Sequence, residues 1–314
     1  MTLIIQTQEH LSAQAVLAVH ELVAASTAAD AVRPLSEHVE LHLRSGGDQG
    51  SCHLLAYSDD ELVGYAHLDR TDVVQGPSAE VAVHPLSRRR GVARALVVAL
   101  IQISGNSQLR LWAHGEQAAA GALALALGFE RSRTLWQLRR SLYAPLPRLN
   151  WPPEYALRTF QPGVDEPAWL EINRLAFADL PDQGRWNDAD LHRRMAEPWF
   201  DPSGFLIAER HGAMVGFHWT KVHGHRHPPG ATAADHLEHA HELLGEVYVV
   251  GVAPSEKGHG LGRALTIAGL NHLRDLQLPQ AMLYVDASNT TAIRLYESLG
   301  FTRWDTDVMF RHRG

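Results

Sequence analysis

The chain has 314 residues, enough for two ordinary domains that each bury a core, and 45% hydrophobic with 20% charged residues describes a globular protein. A formal net charge of −7 argues against a general nucleic-acid binder, and no stretch approaches the apolar length of a membrane span. Cys52 is the single cysteine, which excludes an intramolecular disulfide and a cysteine metal cluster. The opening Met1-Thr2-Leu3-Ile4-Ile5-Gln6 lacks a basic n-region, so a cytoplasmic location is the default expectation; a monomer acting on small molecules, without metal, is expected on separate grounds.

In chain order, the sequence repeats itself. After an edge strand and helical stretches, Leu55-Ala56-Tyr57, a polar Asp59-Asp60 turn and Leu62-Val63-Gly64-Tyr65-Ala66 predict a hairpin. A β-type run, Glu80-Val81-Ala82-Val83-His84-Pro85, then leads into Arg88-Arg89-Arg90-Gly91-Val92-Ala93-Arg94, which opens a helical stretch. A short helical pattern ends at Leu127-Gly128-Phe129. Pro145-Leu146-Pro147 through Trp151-Pro152-Pro153 is too proline-rich for a helix or central strand and reads as a linker. The division expected is a first domain over 1–143, a linker over 144–153 and a second domain over 154–314.

The second half restates the pattern. Ile207-Ala208-Glu209, a His211-Gly212 turn and Met214-Val215-Gly216-Phe217-His218 form the matching hairpin. Glu246-Val247-Tyr248-Val249-Val250-Gly251-Val252 is followed by Pro254 and by Lys257-Gly258-His259-Gly260-Leu261-Gly262-Arg263. In each half the proline precedes the central glycine by six positions. The helix after Gly260 places Leu261, Leu265, Ala268 and His272 on one stripe, with Ala264 and Leu273 beside it. Leu299-Gly300-Phe301 closes the match. A strand-turn-helix-strand core in each half predicts an α/β fold.

Glycines between a strand and a helix let backbone N–H groups converge on an anion at the helix N-terminus. A glycine turn alone also serves tight packing, but strand before and helix after, twice, favour phosphate contact. No Gly-Lys-Ser/Thr follows, so it is not a Walker loop, nor is it a convincing dinucleotide fingerprint. The spacing from Gly64 to Gly91 is 27 and from Gly216 to Gly260 is 44, so the second half carries 17 more residues. They fall in the stretch from His223 through His225, His227, His236, His239 and His241. Two prolines interrupt it and no metal-site spacing holds, so a solvated variable loop is preferred to a metal site.

The Arg/Gln-x-x-Gly-x-Gly/Ala pattern resembles motif A of the GCN5-related N-acetyltransferase family. Arg88 to Ala93 matches in full, and Lys257 to Gly262 matches except at its first position. Asn289-Thr290-Thr291-Ala292-Ile293-Arg294-Leu295-Tyr296-Glu297-Ser298-Leu299-Gly300-Phe301 resembles the family's motif B. The resemblance implies two tandem domains, each a mixed, mostly antiparallel sheet with flanking helices. It also implies acetyl-CoA as co-substrate. In the first half Val81, Ala82 and Val83, then Arg88 to Arg90, Gly91, Val92, Ala93 and Arg94 would hold it. In the second half Val250, Gly251 and Val252, then Lys257, Gly258, His259, Gly260, Leu261, Gly262 and Arg263, and finally Asn289, Thr290, Thr291, Ala292, Ile293 and Arg294, would do so.

Across nearly the whole chain, Gly245 to Val252, Thr220-Lys221-Val222-His223, Phe177 to Gly184 and Ala29 to Glu37 are similar to tandem members that acetylate the cysteinyl amine of Cys-GlcN-Ins. That similarity implies substrate contacts at Glu37, Asp182, Lys221, Glu246 and Tyr284, with Glu246 as base and Tyr296 as acid.

From the residues themselves, a transferase acting on an ammonium needs a base, and Glu246 opens the strand leading to the glycine loop. A solvent-facing strand-edge glutamate is the competing reading. Tyr296 is likewise either a proton donor or a packing residue with a hydrogen-bonded tip. Alignment on Leu127-Gly128-Phe129 puts Ala124 opposite Tyr296 and Gln117 opposite Asn289, and alignment on the glycine loops puts Pro77 opposite Glu246, with Glu80 a displaced substitute at best. The second half is therefore the expected catalytic one, and the first an acetyl-CoA-binding, non-catalytic one. Cys52 lies in the first half, which disfavours an acyl-cysteine route. A tandem acetyltransferase for another small amine or a protein N-terminus, and a non-catalytic acyl-CoA-binding module, remain open.

Overall fold

A computed structural model describes residues 3–45, 50–71, 76–105, 108–223 and 243–313. The first half runs β1 (Leu3–Gln8), α1 (Ala13–Asp30), α2 (Glu37–Ser45), β2 (Ser51–Ser58), β3 (Glu61–Asp69), β4 (Ser78–Val83), α3 (Val92–Ser104), β5 (Arg110–Ala113), α4 (Ala118–Ala126) and β6 (Phe129–Ser141). The second half runs β7 (Ala156–Thr159), α5 (Glu166–Ala176), α6 (Pro181–Gly184), α7 (Asp188–Met195), β8 (Phe205–Arg210), β9 (Ala213–His223) and β10 (Leu244–Val252). It continues with α8 (Leu261–Asp275), β11 (Gln280–Asp286), α9 (Thr290–Ser298) and β12 (Thr302–His312). Residues 144–153 are neither helix nor strand, as their prolines require.

Both hairpins close with the same turn chemistry. Asp59 and Asp60 join β2 to β3 at φ 50° and 67°, and His211 and Gly212 join β8 to β9 at φ 52° and 77°. A two-residue loop with both φ values positive matches the right-handed twist of its flanking strands and sets their register.

The chain forms two units. Unit 1 holds residues up to 136, 286–288 and those from 305 on; unit 2 holds 137–285 and 289–304. These units differ from the division at residues 143 and 154 expected from sequence. The far end of β6 belongs to unit 2, and most of β12 belongs to unit 1. The second half thus hands most of its closing strand to unit 1, and the first half gives the end of its own to unit 2.

In unit 1 the strands run β1-β2-β3-β4-β5 and then β12, antiparallel except for β4 and β5. Alternation along β2 sends Leu54 to one face, where Leu96, Leu100, Phe129 and Phe310 pack, and Leu55 to the other, under Val19, Leu22 and Val39 from α1 and α2. In unit 2 the strands run β7-β8-β9-β10-β11 and then β6, with β10 and β11 parallel. The stripe of α8 is buried at Leu261, Ala264, Leu265, Ala268 and Leu273, while His272 is half-buried. The opposite face carries an aromatic core in which Phe205 stacks on Trp219 with ring centroids 4.5 Å apart and Trp169 meets both edge-on. No helix among the described residues is long and apolar enough to cross a membrane.

Candidate active site

In both units a parallel strand pair holds for three residues and then separates. β4 pairs with β5 from Ser78 to Glu80, and β10 with β11 from Leu244 to Glu246. Beyond Glu246, β10 stays in register with β9 alone, so one edge of Val250, Gly251 and Val252 has no strand partner. Such an edge offers backbone N–H and C=O groups to an extended ligand. A β-bulge at Tyr248, where the register with β9 shifts between Val247 and Val249, adds twist at the point of separation.

The glycine loops sit at the open end of each wedge. Gly258 and Gly260 have φ 88° and 78°; in unit 1 the matching positions are Arg89 at 63° and Gly91 at 86°. A Cβ at Gly91, Gly258 or Gly260 would meet nothing within 4 Å, so the backbone faces open space. Gly91 and Gly260 cap α3 and α8 without a side-chain hydrogen bond, which leaves the first helical N–H groups for an anion. Arg89, Arg90 and Arg94 are exposed around the first loop, as are Lys257 and His259 around the second. Arg88 instead forms a bidentate pair with Asp30 at 2.7 Å for both bonds, which ties its loop to α1. Asn289 caps α9 by accepting the Ala292 N–H at 3.0 Å; Asn289, Thr290, Thr291 and Arg294 are exposed, whereas Ile293 is buried.

Glu246 is the last paired residue before the strands part. Its cross-strand partner is Lys221, and His223 Nε2 lies 2.7 Å from its Oε2. Burial pushes this carboxyl up, but the His223 hydrogen bond and the His223 and Lys221 charges more than offset that and hold it below the usual carboxylate range. Lys221 is itself buried, its Nζ 4.5 Å above the Trp199 ring and 5.4 Å from that of Tyr248. The Tyr248 hydroxyl accepts from Arg194 Nε at 2.8 Å, and Arg194 in turn stacks on Trp186. Tyr296 is buried beside Phe301, and burial pushes its phenol up to about 12, so it keeps its proton at neutral pH.

The equivalent place in unit 1 is built differently. The bulge at Tyr248 moves the register by one, so Ser78 rather than Pro77 stands where Glu246 does opposite β9. Glu80 ends the parallel pairing, and it is fully engaged. Ser36 donates to it from N–H and from hydroxyl, both at 2.6 Å, and His114 Nε2 lies 3.5 Å away. Asp307 of β12 holds the other ring nitrogen of His114 at 3.0 Å and accepts the Gly115 N–H. Burial works against a charged imidazole, but Asp307 and Glu80 outweigh it and push His114 up to about 10. Ala124 is fully buried at the Tyr296 position.

Of the other expected contacts, Tyr284 is exposed on β11 with its hydroxyl 2.9 Å from Gln137 Nε2, and Glu37 is half-buried at the start of α2, next to Ser36. The Asp182 side chain lies outside the described residues, as do His225, His227, His236, His239 and His241. His223 does not belong with that loop: it ends β9 and meets Glu246. The sequence signal for this was its position two residues past Lys221 on the same strand face. Trp199, Arg194, His114 and Asp307 belong to no motif, and only the fold brings them in. No group of side chains able to hold a metal is found among the described residues.

Two wedges between parallel strands, each with a glycine loop and a helix behind it, define a tandem acyl-CoA transferase architecture. The model of the acetyltransferase (GNAT) family matches residues 18–129 and again 168–301, and the chain belongs to that family. At the level of sequence it is similar to the mycothiol acetyltransferases of Acidothermus cellulolyticus, 56% identical over 94% of this chain and 90% of that one, and of Streptosporangium roseum, 49% identical over 98% of each. Among solved structures, a GCN5-related N-acetyltransferase from Sphaerobacter thermophilus aligns with TM-score 0.66 at 25% identity, covering 98% of this chain and 95% of that one. A tandem GNAT protein from the clavulanic acid biosynthesis pathway aligns with TM-score 0.72 at 17% identity, over 99% and 98% of the two chains, and shares the fold.

Proposed function

We propose that this chain transfers an acetyl group from acetyl-CoA to the cysteinyl amine of Cys-GlcN-Ins, giving mycothiol and CoA, and that unit 2 does the chemistry. The observation that carries the assignment to unit 2 is the buried, ionised Glu246 at the point where β10 and β11 part, in a unit that also holds the buried, neutral Tyr296. The names of relatives that align over nearly the whole chain support the acceptor. The same reading takes the protein to be a cytoplasmic monomer.

Glu246 takes a proton from the acceptor ammonium, which frees the nitrogen lone pair. The amine attacks the thioester carbonyl, and a backbone N–H of Val250 to Val252 stabilises the oxyanion. The C–N bond forms and the C–S bond breaks. Tyr296 protonates the departing thiolate, and the second amine proton returns to the phenolate. Lys221, Glu37, Asp182 and Tyr284 bind the acceptor. The amides from Lys257 to Arg263 bind the pyrophosphate, with the open edge at Val250 to Val252 along the pantetheine arm. Unit 1 binds a second acetyl-CoA through Val81 to Val83 and Arg88 to Arg94 without turning it over, since Ala124 has no proton to give.

Incubation with acetyl-CoA and a panel of amines, with product read by mass as the gain of one acetyl group, tests this. Cys-GlcN-Ins should be preferred over simple amines in kcat/KM by about a hundredfold or more, because buried polar groups left unpaired by a lesser acceptor cost several kcal/mol. Equal rates for all amines would move the acceptor assignment elsewhere, and no acetylated product with any amine would remove the enzymatic reading.

A further inference from the structure

We propose that His223 is the proton outlet of Glu246, a relay that takes the acceptor's proton from the buried carboxyl and delivers it to solvent. This rests on the reading of Glu246 as the base. The net reaction converts an ammonium and a thioester into an amide, a thiol and one free proton, so each turnover leaves a proton that must reach water before the next. Glu246 is poorly placed to release it alone, since its side chain is only 8% exposed; that of His223 is 31% exposed and in direct contact with it.

The charged and titratable groups facing Glu246 among the described residues are His223 and Lys221, both on β9. The register partner on β11 is the apolar Met282, and Arg194 of α7 reaches this region only through Tyr248. An ammonium or guanidinium has no lone pair with which to accept a proton, whereas imidazole accepts at one nitrogen and donates from the other near neutral pH. The step balances over a full cycle. With the ring protonated at its other nitrogen, the Glu246 carboxyl gives its proton to Nε2, that other nitrogen gives its proton to water, and Nε2–H then donates to the restored carboxylate; proton exchange of the part-exposed ring with water returns the first tautomer before the next turnover. His223 closes β9, so the strand register fixes one end of the relay.

The test compares His223→Ala, His223→Asn and Glu246→Gln in the full chain with acetyl-CoA and Cys-GlcN-Ins. Both His223 variants should lose about tenfold in kcat, at or below the low end of what proton-transfer groups contribute, with acetyl-CoA KM unchanged. Imidazole added to the His223→Ala assay should restore the rate in proportion to its concentration. His223→Asn keeps a hydrogen-bond donor but carries no proton, so a merely positioning histidine predicts near-normal rates for it. Steps in series also predict that His223→Ala slows Glu246→Gln no further. Acetyl-CoA affinity reports folding, and His223→Asn serves where the alanine variant fails to fold. Wild-type kcat in His223→Asn, or a slow His223→Ala that no small base rescues, overturns the outlet. Wild-type kcat in Glu246→Gln overturns the base reading itself, whatever the His223 variants do.

Discussion

The two wedges place a glutamate at the same point of strand separation and surround it in opposite ways. Glu80 is held by two Ser36 donors, with the imidazole of His114 beside it and Asp307 anchoring that ring. Glu246 accepts from His223 at one oxygen and faces the Lys221 ammonium, which rests on aromatic rings. Both carboxyls are buried and both are ionised at neutral pH. Burial and charge therefore do not distinguish Glu80 from the carboxylate proposed to react. The difference lies in whether the first coordination of the oxygens is already complete, because a carboxylate with its lone pairs engaged has little basicity left for a substrate.

The sharpest way to break this contrast is to neutralise each carboxyl in turn. Glu246→Gln should lower kcat by about 10²–10⁴-fold, as loss of a general base does, while Glu80→Gln should leave kcat within about twofold and lower Tm instead. Steady-state kinetics and thermal unfolding on both variants check it; a kinetic collapse in Glu80→Gln would move the chemistry to unit 1. Tyr296→Phe keeps the packing against Phe301 and should cost at least about tenfold in kcat with modest change in acetyl-CoA KM. An unchanged kcat would return Tyr296 to a packing role.

The glycine loops provide the next comparison. Gly260→Val strains the left-handed backbone by about 1–2 kcal/mol and puts a branched side chain where a pyrophosphate would lie. Acetyl-CoA KM should rise about tenfold or more, or turnover should vanish, whereas Gly91→Val should affect stability and the occupancy of unit 1 but not turnover. Binding stoichiometry by calorimetry separates the two sites.

The remaining effects are smaller and appear in pH dependence. His223 and Lys221 hold the Glu246 carboxyl down, so as the proposed base it would work to lower pH than an ordinary glutamate. Lys221→Met should move the acidic limb of kcat/KM upward. In unit 1 the sign is opposite. The folded pKa of His114 is raised to about 10, so its contribution to stability is complete below the unfolded value near 6.5 and is lost as pH rises through about 10. Unfolding midpoints should decline across that window, and Asp307→Asn should flatten the decline.

Much of this was legible in the sequence because its causes are local. A turn with two positive φ values favours pairs such as Asp-Asp or His-Gly where the hairpins have them, and both loops carry glycine at the left-handed position that caps the helix, Gly91 and Gly260. An alanine at position 124 cannot donate a proton in any fold. What stayed hidden depended on pairing. One extra residue at Tyr248 moves the register and replaces Pro77 by Ser78. His223 reads as part of a histidine-rich loop until β9 fixes it two positions beyond Lys221. Asp307 reaches Gly115 across 192 positions, and Trp199 comes from a loop with no pattern. The exchange of closing strands was equally silent, since β6 and β12 have the composition of any closing strand and nothing local selects a sheet.

That exchange also orders events during synthesis. Unit 1 is encoded first, yet its sheet waits for Val308 to Arg311, which pair with β5 and are made only after β7 to β11. The first half therefore emerges from the ribosome with the outer edge of β5 open, and His114 lacks its Asp307 until β12 is made. An unpaired edge held open for that long invites pairing with another chain. A truncation just before residue 305 should consequently harm unit 1, whose other strands lie far from the lesion in sequence, and a ribosome paused before the codons of β12 should hold an aggregation-prone nascent protein.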